Sequence, residues 1–191
     1  MHRALYFAGF GYLAICAALV ARHQTRPRAL PQQTERALVR FDGPADQWFA
    51  AIKPSCNVVE VEVAQRQHPA PPTAEGQGFS AACYALAGKV SLARGVIDGL
   101  AAEDRYRAAG IVFDIAHPVA DAGDDRSAGP IMELVLRYWP NNYMALYHAG
   151  MSEYALNQRD LARAHLESFL SLYHEDDGWR RNALDVLGRL R

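Results

Sequence analysis

Apolar and polar positions divide the chain into three unequal stretches. From Ala4 to Ala21 no charge interrupts a run of small, aliphatic and aromatic residues. Residues 22–44 are polar and broken by Pro27, Pro31 and Pro44. From residue 45 apolar residues recur at spacings of three and four, the signature of amphipathic helices. Asp46 before QWFAAIK predicts a short helix ended at Pro54. Asn57-Val58-Val59-Glu60 has the form of a capping box, while Val59, Val61 and Val63 alternate as in a strand; we read a helix, in keeping with the helical pattern of the later residues. Pro69, Pro71 and Pro72 predict a loop from His68 to Gly78. Helices are expected over 79–87, 91–100, 104–116, 127–138, 142–156, 160–173 and 178–190, with Asp160 as an N-cap. Gly88, Asn157 and Gly178 mark breaks where a left-handed backbone is needed or tolerated. The last helix carries Trp179, Ala183, Val186, Leu187 and Leu190 on one face.

The first stretch, as a helix, would span roughly 27 Å, close to a bilayer core of about 30 Å. It is longer than a signal-peptide core of about 7–15 residues. The Leu13-Ala14-Ile15-Cys16 segment hints at a lipoprotein signal, but Ile15 is bulky where such signals carry a small residue. We therefore expect an uncleaved single-span anchor over 1–21, a stalk with a short helix from Thr34 to Val39 over 22–44, and a helical domain over 45–191. Ala4, Ala8, Gly11, Ala14, Ala18 and Ala21 fall on one face of the anchor, a small-residue stripe that would let a second membrane helix approach.

Charge sharpens this division. Residues 22–40 hold five arginines against Glu35, whereas residues 41–191 hold 14 basic and 20 acidic side chains. An acidic body argues against nucleic acid as a partner. Sidedness draws two opposing signals. Arg22, Arg26 and Arg28 after the span, against Arg3 before it, place the body in the cytoplasm by the positive-inside rule. Cys56 and Cys83, the two cysteines outside the span, fit a disulfide in an oxidising compartment, and we lean to the periplasmic side. Such a bridge would stabilise the fold by about 3–4 kcal/mol on the chain-entropy model.

Tyr-Ala-Leu followed by Leu-Ala-Arg occurs at Tyr84 and again at Tyr154. Ala93, Ile97 and Leu100 are likewise echoed by Ala162, Leu166 and Phe169. Trp139-Pro140-Asn141-Asn142 ends one helix and starts another, and a similar break falls at His174, 34 residues after Pro140. Between the two breaks, Leu146, Gly150, Asn157, Ala162, Leu166 and Leu170 stand where a large residue, a small crossing residue, a turn residue, a second small residue and two packing residues belong. This segment resembles a tetratricopeptide repeat, a helix pair with a period of 34. Glu153, Phe169 and His174 depart from that pattern, which prefers tyrosine, alanine and proline there. The resemblance implies an all-α array of three to four degenerate antiparallel helix pairs, closed by helix 178–190 as a cap. The middle pair would be enlarged by the loop HPVADAGDDRSAG. It also implies a concave groove lined by first helices, on which Tyr147, Met151 and Tyr154 would face a protein partner, with Arg181 and Asp185 extending the surface.

Candidate chemistry is sparse. His117, His148, His165 and His174 lack metal-ligand spacing, and no HExxH, CxxC or CxxCH motif occurs. Asp121, Asp124 and Asp125 lack the alternate-residue spacing of a calcium loop. Gly76-Gln77-Gly78-Phe79-Ser80-Ala81 is a loose dinucleotide fingerprint without the preceding strand. No metal, cofactor or catalytic residue is expected. The expected function is a membrane-anchored, non-catalytic scaffold or accessory subunit of a membrane complex. The rivals are a small anchored hydrolase built on Ser80 or Cys83 and the 117–129 loop, and a secreted binding module if the leader is removed.

Overall fold

The computed structural model describes Phe41 and residues 43–190. The anticipated anchor, its small-residue face and nearly all of the stalk lie outside the described residues. No helix among the described residues is long and apolar enough to cross a membrane.

These residues are helical, without a strand among them. The elements are α1 (Ala45–Ile52), a 3-10 turn (Lys53–Ser55), α2 (Val61–Gln67), α3 (Ala74–Leu86), α4 (Val90–Asp98), α5 (Ala102–Asp121), α6 (Asp125–Tyr138), α7 (Tyr143–Ala155), α8 (Arg159–Leu172) and α9 (Gly178–Arg189). The helix read at Asn57–Glu60 starts later, at Val61, and Asn57–Glu60 form the turn before it. The Asn57 side-chain oxygen accepts from the backbone N–H groups of Val59 and Glu60, and its amide donates to Glu60 Oε2 at 2.6 Å. That turn feeds α2.

Boundaries differ from expectation where glycine or proline enters a helix. The loop expected to reach Gly78 stops at Thr73, whose hydroxyl caps α3 by accepting from the Gly76 N–H. Gly78 is helical because α3 crosses α5 there: a Cβ at Gly78 would come within 2.7 Å of Ile111 Cδ1 and 3.2 Å of Ala108 Cα. The enlarged loop over 117–129 is mostly helix. Pro118 lies inside α5, and only Ala122–Asp124 separate α5 from α6. Asp160 lies in the first turn of α8 and Gln158 takes the cap position. Gly178 opens α9 behind the capping carboxylate of Asp177, which accepts from the Arg180 N–H.

Helices α3–α4, α5–α6 and α7–α8 form three hairpins closed by the same turn. Gly88, Gly123 and Asn157 take the left-handed conformation, with φ of 72°, 92° and 60°. In each turn that residue donates to the carbonyl three back (Ala85, Ala120, Tyr154), and the next residue donates to the carbonyl five back (Tyr84, Val119, Glu153). This is the Schellman arrangement, which satisfies the last helical carbonyls. Its left-handed residues lie 35 and 34 positions apart. The first two hairpins meet chiefly through α3 and α5, the second and third chiefly through α6 and α7. Helix α9 covers the far side of α7 and α8.

Two apolar clusters result. One joins α1–α6 and the Ala145 and Ala149 face of α7. The other holds Leu146, Tyr147, Ala162, Leu166, Phe169, Ala183, Val186 and Leu190. Helix α7 is therefore walled on opposite faces, which is why it buries eight residues, His148, Ser152 and Glu153 among them. Cys56 and Cys83 are joined by a disulfide that fastens the turn before α2 to α3.

Candidate functional site

The expected groove residues separate. Tyr147 is 3% exposed. Its ring packs edge-on to Phe169 and Trp179 at centroid distances of 5.2 and 5.0 Å, and its hydroxyl accepts from the Asn182 amide at 3.4 Å. Burial pushes its phenol pKa up. It is a core residue, because α9 closes over the face of α7 that the groove reading left open. Met151 and Tyr154 are half-buried against the same cluster. Asp185 pairs with Arg189 at 2.6 Å, and Arg189 also lies beside the Tyr154 hydroxyl. Arg181 pairs elsewhere, with Asp176 at 3.5 Å. Tyr154 and Asp185 thus share one surface position while Tyr147 does not.

The proposed nucleophiles do not assemble. Cys83 is in the disulfide and carries no free thiol. Ser80 is buried, and its hydroxyl donates to Gln65 Oε1 while Gln65 Nε2 donates back to the Ser80 carbonyl at 3.1 Å. This closed pair leaves no base beside the hydroxyl among the described residues.

A depression of about 500 Å³ at the turn end of the first two hairpins lies beside the disulfide and the 117–129 segment, where the hydrolase alternative puts its cleft, but Ser80 is not among its lining residues. Val58, Leu86, Val119 and Ile131 line it, with Arg126 and Ser127 contributing polar groups. Val58 is 65% exposed and Val59 80% exposed, a sizeable apolar surface next to the disulfide.

An unanticipated feature joins α5, α6 and α7. His117 and Asp121 are one turn apart on α5, and His148 comes from α7. Asp121 Oδ1 lies 3.4 Å from His117 Nε2 and 3.3 Å from His148 Nε2. The three atoms are all within 4.8 Å of one another. Both Nε2 atoms are buried and make no hydrogen bond among the described residues. The His148 side chain is 1% exposed, and its Nδ1 lies 2.8 Å from Asp125 Oδ1 at the start of α6. With the carboxylate accepting, that nitrogen carries the hydrogen, so in the neutral ring Nε2 keeps its lone pair. The His117 ring stacks on Phe113 at 4.7 Å. Burial, its largest influence, holds the His117 pKa down; Asp121 opposes this and His148 adds to it. The only sequence signal is a histidine and an aspartate four apart in a helix. The third group, His148, lies 31 residues beyond His117, which no local spacing reveals.

No family model matches this chain, and no curated protein and no solved structure matches it either.

Proposed function

We propose that this protein is a membrane-anchored, non-catalytic helical-repeat scaffold, similar in plan to tetratricopeptide arrays, that binds and stabilises a partner protein within a membrane complex of respiratory, photosynthetic, secretion or envelope type. The observation that supports it most is the recurrence of one hairpin turn at Gly88, Gly123 and Asn157, 35 and 34 residues apart. Helix pairs of that period cannot bury their apolar faces alone, and stacking them builds extended surfaces suited to protein ligands. The uncharged segment Ala4–Ala21 supplies the anchor and the disulfide favours an oxidising side. The partner surface we favour is the depression beside Val58, which pairs apolar lining with a charged rim, as interface cores do.

The test is affinity purification of the full-length chain in mild detergent from its native membrane. A defined set of co-purifying membrane proteins is expected, and Val58→Asp should release it while leaving the melting temperature within about 2 °C, because that side chain is exposed. Recovery of the chain alone at full yield would count against the scaffold.

A further inference from the structure

We propose that His117, Asp121 and His148 form a zinc site that clasps the second hairpin to the third. Three observations carry it, and none depends on the scaffold reading. The first is convergence from distant positions. Two imidazoles and a carboxylate from α5 and α7 bring three donor atoms within 4.8 Å of one another.

The second is the absence of mutual bonding. The carboxylate oxygen sits 3.3–3.4 Å from each nitrogen, yet neither nitrogen makes a hydrogen bond with it or with any other group among the described residues. A buried imidazole nitrogen left unpaired is unfavourable, and here two are left so, facing one carboxylate. Zinc bound at about 2.0–2.1 Å from nitrogen and oxygen has tetrahedral edges of about 3.3–3.4 Å. The separations of Asp121 from the two histidines match that edge.

The third is the support behind His148. Asp125 accepts from its Nδ1–H at 2.8 Å, the carboxylate–histidine pairing that orients a zinc-bound imidazole. Donors of two imidazoles and one carboxylate suit zinc and its late first-row neighbours and not magnesium or calcium, which take oxygen. Asp121 is 40% exposed on its side chain, so an ion can enter and water can complete the set. Helices α5 and α7 share otherwise only a narrow contact, so a cation here adds a clasp where packing supplies little.

Full-length protein without a polyhistidine tag, stripped with chelator and held in mild detergent, is titrated with zinc sulfate by calorimetry while its melting temperature is followed. One zinc per chain, bound at micromolar or tighter Kd, is expected, with the melting temperature raised by at least about 3 °C at saturation. Asp121→Asn removes a ligand and should weaken binding at least about tenfold; Asp125→Asn leaves the ligands intact and should weaken it about 10–100-fold. Both replacements are isosteric at part-exposed positions, and the zinc-free melting temperature reports that the fold survives. Cobalt should give the visible absorption of a tetrahedral site in the wild type and lose it in His117→Gln. Absence of stoichiometric zinc binding, or equal affinity in wild type and both aspartate variants, would overturn the proposal.

Discussion

Gly129 of α6 and Ser152 of α7 meet with no room for another atom. A Cβ built on Gly129 would lie 2.0 Å from the Ser152 hydroxyl oxygen and 2.3 Å from its Cβ. Ser152 is 2% exposed and cannot swing away. Gly129→Ala would gain about 1 kcal/mol in helix propensity, but overpacking costs about 1–3 kcal/mol, and a clash with a buried Cβ belongs at the upper end. We expect a net loss of about 1–2 kcal/mol in the urea midpoint. Ser152→Gly in the same chain should recover most of it by moving the gap across the interface. Gly110 is the control: it is helical with nothing within 4 Å of its Cβ position, so Gly110→Ala should stabilise by about 0.5–1 kcal/mol.

The recurring turn gives a second expectation. Gly88 has φ of 72° with open space around a Cβ, so Gly88→Ala meets strain without a clash and should cost about 1–2 kcal/mol. Asn157 stands at the same place in the third hairpin with φ of 60°. Asparagine tolerates this region and a β-branched residue does not. Asn157→Gly should therefore change stability by less than about 0.5 kcal/mol, whereas Asn157→Val should lose more than about 1 kcal/mol. Equal effects of the two changes at 157 would show that the turn relaxes out of the left-handed region.

The disulfide closes a stretch of 27 residues in sequence separation. Constraint of the unfolded chain over such a loop is worth about 3–4 kcal/mol. Cys83 is fully buried, so the clean variant is Cys56→Ala with Cys83→Ala, which leaves no buried polar group. Its urea midpoint should fall by the equivalent of about 3–4 kcal/mol, and reductant should lower the wild type toward the same value. A variant as stable as the oxidised wild type would mean that residues 57–82 are ordered without the bridge.

The helices of the second half were legible because their apolar positions follow a 3.6-residue period and their breaks fall at Asn142, Asn157 and Gly178. The errors cluster where tertiary packing overrides local signals. Gly76 and Gly78 read as loop, yet they permit close approach to Pro71 and α5. Pro118 read as a break, yet α5 continues through it. Tyr147 read as groove because the pattern shows that α7 has an open face, without showing that α9 closes it. Of the candidate sites, the disulfide was legible from cysteine parity alone. The histidine cluster was not, since His117 and His148 meet only once the second and third hairpins are packed.

Glu153 supplies the pH-dependent expectation. It is 2% exposed on α7 and accepts from His165 Nδ1 of α8 at 2.8–2.9 Å. Burial raises its carboxyl pKa more than the His165 hydrogen bond lowers it. A carboxyl raised in the fold holds its proton more tightly folded than unfolded. Its contribution to stability is complete below the ordinary carboxylate pKa of about 4.3 and is lost as pH rises through the raised value. Glu153→Gln removes the titration and can still accept from His165. It should therefore be more stable than the wild type at pH 7, with the difference shrinking toward zero by about pH 4. His165→Ala leaves the buried carboxylate without its partner and should lose about 1–3 kcal/mol at pH 7 and less at pH 4. Urea midpoints of the three proteins from pH 4 to 7 check both signs. A Glu153→Gln difference that stays constant across that range would mean that the carboxyl keeps its ordinary pKa in the fold, and the cost of burying it between α7 and α8 would have to be met by water.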